Sequence, residues 1–593
     1  MKRGWTFTNG QSPFMEAQAA RIAKFGRVYV TLIIVVMGVL LGRVVQLKIS
    51  PDERLQAAVG TSFSSRPEIR RTGDLLDREG RPIATSSIGY RLYVDPQKVK
   101  DLETIAVDLA KLTGINAAEI DQNIAKRPDS RYVVISQLVN DEQATAVRRA
   151  NLAGVGLDKR LVRHYPQEDL AAGIVGRVGF DQTGQTGFEK IFNKDLLPSN
   201  GSLTYLRDVQ RRALWIDPDG YRPGSDGASI RLSVDTVIQD IVETQLKDAV
   251  QKYNAGGGRM VVMDCRSGEI LAMTDVVNDR PNWTDPITDM ARKIDPRLGR
   301  DRCVTDPYEP GSTFKPFVWV SATELGKAKE DEVLPTPSGT GWRTPYGRLI
   351  RDTHYYGPST WHKVLVKSMN TGMAMVAERM SWKEMQDSIR KFGFGQKLDI
   401  GIPGETAGIM TPPSKWSKYT QTSVSFGHEI AVTPLQMVHA FSAFARDGTM
   451  VMPRITAAAR GTYEPGKPVI TPKMAETTRD AMRDVMTDGT GKLAESKLYR
   501  IFGKSGTAQL PRRSGKGYYE DRYVASFICG APFDHPSIIV LCVLDDPDRS
   551  KGHFGGAIAG PVVKDVVERT LQYMGVQPDQ PQDGTTVAMT GGE

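Results

Sequence analysis

The sequence predicts an α+β protein. A single N-terminal transmembrane helix leads to an extended mixed α/β segment, then to a larger domain whose mainly antiparallel sheet is flanked by helices. Three observations predict it. An uncharged apolar run lies at residues 28–42. Residues from about 48 to 225 alternate short strand-like runs with helical stretches. From 226 onward, hairpin patterns stand at both ends with helical periodicity between them, the layering of an α+β domain.

The apolar run alone is short enough for the core of a cleaved signal, ~7–15 residues. The segment before it is too long for an ordinary signal, however, and no small-residue cleavage site follows. Carried on to Leu47, it makes a helix of ~30 Å, one hydrocarbon thickness. Arg27 and Arg43 lie near its ends, where they can snorkel. Lys2, Arg3, Arg21, Lys24 and Arg27 precede it against Glu16 alone. That bias predicts a cytoplasmic N-terminus and a catalytic part that is periplasmic or extracellular. The expected divisions are a cytoplasmic tail over 1–24, a span over 25–47, a membrane-proximal domain over 48–225, a larger domain over 226–575 and a flexible tail over 576–593, the last read from its Gln, Pro, Gly and Thr content.

Apolar content of 40% and charged content of 25% are those of ordinary folded domains. Half of the net charge of +8 sits in the first 27 residues, so the pI near 9.0 is no nucleic-acid signal. No basic patch interleaved with aromatics stands out, and no nucleic-acid partner is expected. Cys265, Cys303, Cys529 and Cys542 form no C-x-x-C pair, and the seven histidines show no H-E-x-x-H spacing. The cysteines read as small buried apolar residues. No metal and no cofactor are expected.

Within the membrane-proximal part, residues 91–94 and 132–136 read as strands and 142–149 as a helix. Residues 217–224, with Pro218, Gly220, Pro223 and Gly224, read as a turn and a boundary. A strand is expected over 230–234. A helix follows over 236–253, capped by Asp235 and ended by Gly256-Gly257-Gly258. Residues 259–264 and 269–274 flank Arg266-Ser267-Gly268 as a hairpin. Residues 524–529 and 537–544 form another strand pair, and 561–574 a closing helix.

Three short strings then stand in order: Ser312-Thr313-Phe314-Lys315, Ser368-Met369-Asn370 and Lys504-Ser505-Gly506-Thr507. The first offers a nucleophile and a base one helical turn apart. Glu309-Pro310-Gly311 breaks the chain just ahead, so Ser312 is expected to open a helix with its hydroxyl at the positive end. Lys315 must be neutral to act as a base. Burial and a neighbouring cation, Lys504, are the expected causes. Ser312 would attack a carbonyl and form an acyl-enzyme, with the backbone N–H groups of Ser312 and Thr507 as the oxyanion hole. Ser368 would pass a proton to the leaving amine, and Asn370 would help hold the substrate. Which group takes the first proton stays open, with Lys315 favoured. Taken singly, each string is weak: S-x-N reads as a helix cap and K-S-G as a surface turn. A second S-x-x-K, Ser388-Ile389-Arg390-Lys391, is out of order in an amphipathic helix and reads as a decoy. The order of the three carries the signal.

Here the chain resembles the class B penicillin-binding proteins, from the anchor to about residue 575. Tyr308-Glu309-Pro310-Gly311-Ser312-Thr313-Phe314-Lys315-Pro316 is similar to their extended first box, and Lys504-Ser505-Gly506-Thr507-Ala508-Gln509 to their third. Asp264 with Ser267-Gly268-Glu269, and Thr433-Pro434-Leu435-Gln436, add support. In the membrane-proximal, dimerisation-like pedestal, 73–80 resembles a family motif, although Thr72 stands where Arg is usual. Arg163-His164-Tyr165-Pro166 and Gly187-Phe188-Glu189 fit two more. Pro198 replaces a common glycine.

The resemblance implies a peptidoglycan D,D-transpeptidase that cross-links stem peptides and is acylated by β-lactams at Ser312. It implies that Lys504, Ser505 and Thr507, with Gly506 in the same strand, bind the terminal carboxylate and peptide backbone. The strings Y-E-P-G-S and K-S-G-T look more like the division-specific septal type. An elongation-type enzyme is the alternative, and an inactive anchored scaffold or a β-lactam sensor are alternatives of another class. A SEDS-family glycan polymerase and other divisome membrane proteins are the implied partners.

Overall fold

The computed structural model describes residues 13–50, 63–208, 213–278, 297, 299–512 and 517–580 of the 593. Two compact units emerge, one of residues 1–69 with 200–225 and one of 70–199 with 226–593.

In the first unit, helix α1 spans Pro13–Ile49. Among the described residues it is the one helix long and apolar enough to cross a membrane, over Ala17–Ile49. Leu32, Ile34, Leu40 and Leu41 stand exposed around it, and a helix apolar on all sides belongs in lipid or in a protein core. Residues 1–12 of the expected tail lie outside the described residues. The same unit holds strand β1 (Phe63–Glu68), paired antiparallel in a sheet completed by two later strands, Gly201–Arg207 and Ala213–Arg222. The turn expected over 217–224 is corrected: it lies largely inside the second of these strands. Leu203 faces Tyr221 while Tyr205 faces Ile216, so the Pro- and Gly-rich residues bulge out of a continuing ladder.

The second unit opens with β2 (Leu75–Leu76) and the long β3 (Pro82–Val94), which pairs antiparallel with β4 (Val133–Val139) and β5 (Val155–His164). Helices α2 (Leu102–Thr113), α3 (Ala117–Ala125) and α4 (Asp141–Ala150) close a core around Leu92, Leu109, Ile120 and Val147. The pedestal motifs meet at one buried node. Arg163 donates to Glu189 at 2.8 Å, to the Gly73 carbonyl at 2.7 Å and to the Ser86 hydroxyl at 3.0 Å. Asp77 accepts from Arg81 at 2.6 Å and from the Thr236 hydroxyl at 2.8 Å, and so ties the 73–80 motif to the next helix.

That helix, α5 (Thr236–Lys252), is capped by Asp235 as expected. Its expected glycine stop is corrected. The helix ends earlier, and Gly257 and Gly258 already belong to strand β9 (Gly257–Asp264), with the two first-unit strands numbered β6 and β7 and Ile230–Arg231 numbered β8. A Cβ on Gly258 would lie 2.6 Å from Leu246 of α5, so these glycines let strand and helix pack closely. The central sheet runs β10 (Ile270–Val277), β9, β13 (Ile538–Asp545), β12 (Tyr518–Ala531), β11 (Phe502–Pro511), every pair antiparallel. Both faces are covered, which is why β13 reads as one continuous apolar run. Val540, Cys542 and Leu544 meet α5 and the closing helix α10 (Gly560–Tyr573); Ile539, Leu541 and Val543 face the all-helical core. In that core lie α6 (Lys315–Glu324), α7 (Asn370–Ala377), α8 (Pro434–Ala445) and α9 (Pro472–Thr487). The four cysteines are buried and unpaired. Within the expected flexible tail, Asp579 accepts from the Arg500 N–H at 2.6 Å and Gln580 donates to Glu495 at 2.8 Å. Residues 581–593 lie outside the described residues.

Candidate active site

The three strings converge on one cleft of about 630 Å³, lined by Ser312, Ser368, Asn370, Ser505 and Thr507 among others. Its floor is built by the layer between the sheet and the helices. Strand β11 is the edge of the sheet, so one side of its backbone is free to pair with an incoming extended chain.

Ser312 does not open an α-helix, which corrects the expectation. It sits in a 3₁₀ turn, Gly311–Phe314, one turn ahead of α6. The cause is Pro316, which has no N–H to give the Ser312 carbonyl; that carbonyl accepts from the Lys315 N–H instead. Gly311 holds φ +56°, and its N–H donates to the Gly427 carbonyl at 3.0 Å. The glycine of the third box has a steric reason as well. A Cβ on Gly506 would lie 2.5 Å from the Ser526 hydroxyl, 2.7 Å from the Pro310 carbonyl and 2.9 Å from Thr313. Only a bare backbone lets β11 lie against the nucleophile turn.

Lys315 is fully buried. Its Nζ donates to Asn370 Oδ1 at 2.7 Å, to the Ser368 carbonyl at 2.6 Å and to Ser368 Oγ at 3.3 Å. Lys504, equally buried, reaches the same Ser368 Oγ at 2.8 Å from β11. One hydroxyl is thus held between two amines. Among the described residues no side-chain hydrogen bond joins the Ser312 hydroxyl to Lys315 Nζ, whose partners are Ser368 and Asn370. Ser368 itself has φ +58°, the left-handed close of the helix Trp361–Val366, with its N–H donating to the Leu365 carbonyl at 3.2 Å and the Met369 N–H to that of Val364 at 2.9 Å.

Burial lowers the pKa of Lys315 to about 7, against the pull of Asp352, which favours the charged amine. Lys504 falls well below its usual value, first through burial and then through the charge of Lys315. Of the two expected causes, burial acts on Lys315 and the neighbouring cation is corrected: the repulsion between the two amines is felt at Lys504. Two ammonium groups sharing one hydroxyl in a dry site cannot both stay charged.

Several neighbours carry no box signature. Asp352 accepts from the backbone N–H groups of Asn370 and Thr371. Glu309 is pushed up to about 7 by burial and accepts from Tyr518 at 3.0 Å and from the Glu429 N–H at 3.1 Å. His428 is held neutral, its pKa lowered to about 4 by burial. Thr490 and Ser505 share a hydroxyl–hydroxyl bond of 2.7 Å, and Thr507 Oγ1 accepts from the Gly555 N–H at 3.0 Å. Glu309 was visible beside the nucleophile; the others are distant in sequence and lack a motif. The decoy Ser388 lies in the helix Trp382–Lys391, where Lys391 pairs with Glu324.

The family model described as penicillin binding protein transpeptidase domain matches residues 258–568, and that of the penicillin-binding protein dimerisation domain matches 70–232. The chain belongs to the class B penicillin-binding proteins. The peptidoglycan D,D-transpeptidase FtsI of Escherichia coli is 30% identical over 557 residues, which cover 92% of this chain and 91% of its relative. The probable peptidoglycan D,D-transpeptidase PbpC of Pseudomonas aeruginosa is 30% identical over 94% of this chain and 97% of its own. Among solved structures, penicillin binding protein 3 of Mycobacterium tuberculosis, complexed with aztreonam, superposes with a TM-score of 0.63 at 26% identity, covering 87% of this chain and 99% of that one. Members of this family are serine acyltransferases, and the cleft here holds the family's three boxes in one place.

Proposed function

We propose that the protein is a membrane-anchored peptidoglycan D,D-transpeptidase of septal cell-wall synthesis. The observation that carries this reading is the Ser368 hydroxyl held between Lys315 and Lys504 beside Ser312. The free amine of Lys315 takes the Ser312 proton as Ser312 Oγ attacks the carbonyl of a terminal D-Ala-D-Ala bond. The N–H groups of Ser312 and Thr507 receive the oxyanion, where one lost donor typically costs about 2.7–4 kcal/mol. The proton returns through Ser368 to the leaving nitrogen, the C–N bond breaks and D-Ala departs. An amine from a neighbouring stem peptide then attacks the ester, and the same groups run in reverse.

The substrate carboxylate brings a negative charge to Lys504, which favours its ammonium form. Ser505, Gly506 and Thr507 offer the strand edge along which the peptide extends. A β-lactam presents the same carbonyl and carboxylate and acylates Ser312. The similarity to FtsI supports the septal role. We assign 1–24 to the cytoplasm, 25–47 to the span, 48–225 to the pedestal and 226–575 to the catalytic domain. The catalytic domain faces the periplasm or the cell exterior, and a SEDS-family polymerase and other divisome proteins are the membrane partners.

The test is labelling with a fluorescent penicillin. Ser312→Ala should abolish it and Ser388→Ala should leave it intact; a labelled Ser312→Ala protein refutes the assignment.

A further inference from the structure

The start of the helix that carries Asn370 has no side-chain cap of its own. Helix α7 begins at Asn370, and its N-cap, Met369, has no side chain able to accept from the first backbone N–H groups. The residue before, Ser368, adopts φ +58°. That backbone is set locally: the Leu365 and Val364 carbonyls of the helix Trp361–Val366 accept from the Ser368 and Met369 N–H groups at 3.2 and 2.9 Å, the left-handed close of a helix C-terminus. The cap of α7 comes from a distant segment. Asp352 follows the small hairpin of Trp342–Arg343 and Leu349–Ile350 and is 9% exposed. Its Oδ1 accepts from the N–H of Asn370 at 2.5 Å and of Thr371 at 3.0 Å, and its Oδ2 accepts from the Thr371 hydroxyl. The neighbouring Arg351 carbonyl accepts from Asn370 Nδ2 at 3.0 Å, which turns the amide oxygen toward Lys315. Residues 351 and 352 thus fix the start of α7 and the orientation of the Asn370 amide.

We propose that Asp352 is a positioning residue for acylation: it caps α7 from outside the helix and so holds the Ser368 hydroxyl and the Asn370 amide against Lys315. The inference rests on the reading of Ser312 as the acylated serine. Among the described residues the titratable groups that act on or feel Lys315 are Asp352, Lys504 from β11 and His428 from the loop before Ile430. Asp352 is the one anion in that set, and its charge favours the protonated amine. Removing that charge while keeping the shape has two effects of opposite sense. The S-x-N turn loosens and acylation slows, while Lys315 gives up its proton more easily.

The experiment measures second-order acylation by a fluorescent penicillin across pH, for the full-length wild type, Asp352→Asn and Thr371→Val, with thermal unfolding of each. Asp352→Asn should slow acylation about 10- to 100-fold on the alkaline plateau and move the midpoint of the ascending limb down by about half a unit or more. Thr371→Val removes one contact and keeps the charge; it should slow acylation severalfold with the midpoint in place. A folded Asp352→Asn with wild-type plateau and midpoint overturns the proposal, as does a slowed one whose midpoint does not fall. Should Asp352→Asn fail to fold, Thr371→Val decides alone, and wild-type acylation in that variant overturns the proposal. An unlabelled wild type would instead refute the reading of Ser312.

Discussion

Two regions of the same compact unit bury charge, and they do so in opposite ways. At the pedestal node, Arg163 and Glu189 form an ion pair with side chains each 1% exposed, and Arg163 spends its remaining donors on Gly73 and Ser86. In the cleft, Lys315 and Lys504 are equally buried, yet they share a sign and a single hydroxyl. The first arrangement sets opposite charges against each other and joins three sequence motifs, although burial still raises the Glu189 carboxyl above its usual range. The second leaves desolvation uncompensated, and the cost appears as a lysine that titrates at about 7, near neutral pH. Compensated burial makes structure; uncompensated burial makes a base.

The sharpest way to break the comparison is to remove one partner on each side. Glu189→Gln leaves Arg163 buried without its counter-charge and should cost about 3–5 kcal/mol of stability. Denaturant unfolding reads the loss, and penicillin acylation per folded molecule should stay near wild type. Lys504→Ala should do the reverse. Acylation should fall by an amount on the order of ~2–5 kcal/mol of lost charge contact, while the unfolding midpoint holds or rises. Lys504→Arg keeps the charge with altered reach and should retain part of the rate. Equal acylation by alanine and wild type at every pH would leave the third box with only a structural part.

Gly506→Ala tests the contact between the strand and the nucleophile turn. Its Cβ has no room at 2.5 Å from Ser526 and 2.7 Å from Pro310, so about 1–3 kcal/mol of stability should be lost, with slower acylation as the turn moves. Wild-type values for both would show that the strand yields freely.

The last effect is a slope. Lys315 titrates at about 7 when folded and near 10.5 when unfolded, so the unfolded chain binds more protons between those values. That lysine's contribution therefore makes stability rise with pH across the window, by up to ~1.4 kcal/mol per unit. Lys315→Met should flatten the profile by that amount. In the wild type, acylation should climb through about pH 7 as the amine loses its proton.

Much of this was legible in the chain. The three boxes announce themselves by order, because nucleophile, proton relay and carboxylate grip must be specific residue types at short spacing. The apolar run of α1, the β9–β10 hairpin and the closing helix are likewise local patterns, written in periodicity and turn residues. Local chemistry misled where long-range packing outweighed it. The Pro- and Gly-rich residues of 217–224 sit in a bulged strand, and Gly257 and Gly258 serve a strand against α5 rather than a helix stop.

By itself, then, the sequence named the candidate reacting atoms, since covalent chemistry is a property of residue type. Tertiary structure alone decided their protonation and aim. The proton on Lys315 depends on how much water the fold removes. The Ser368 hydroxyl sits between two amines because β11 crosses beside the 3₁₀ turn. The helix that begins at Asn370 is capped by Asp352, eighteen positions upstream with no motif to mark it. Desolvation and hydrogen bonding between distant segments have no local signature, so they become visible only when the chain is folded.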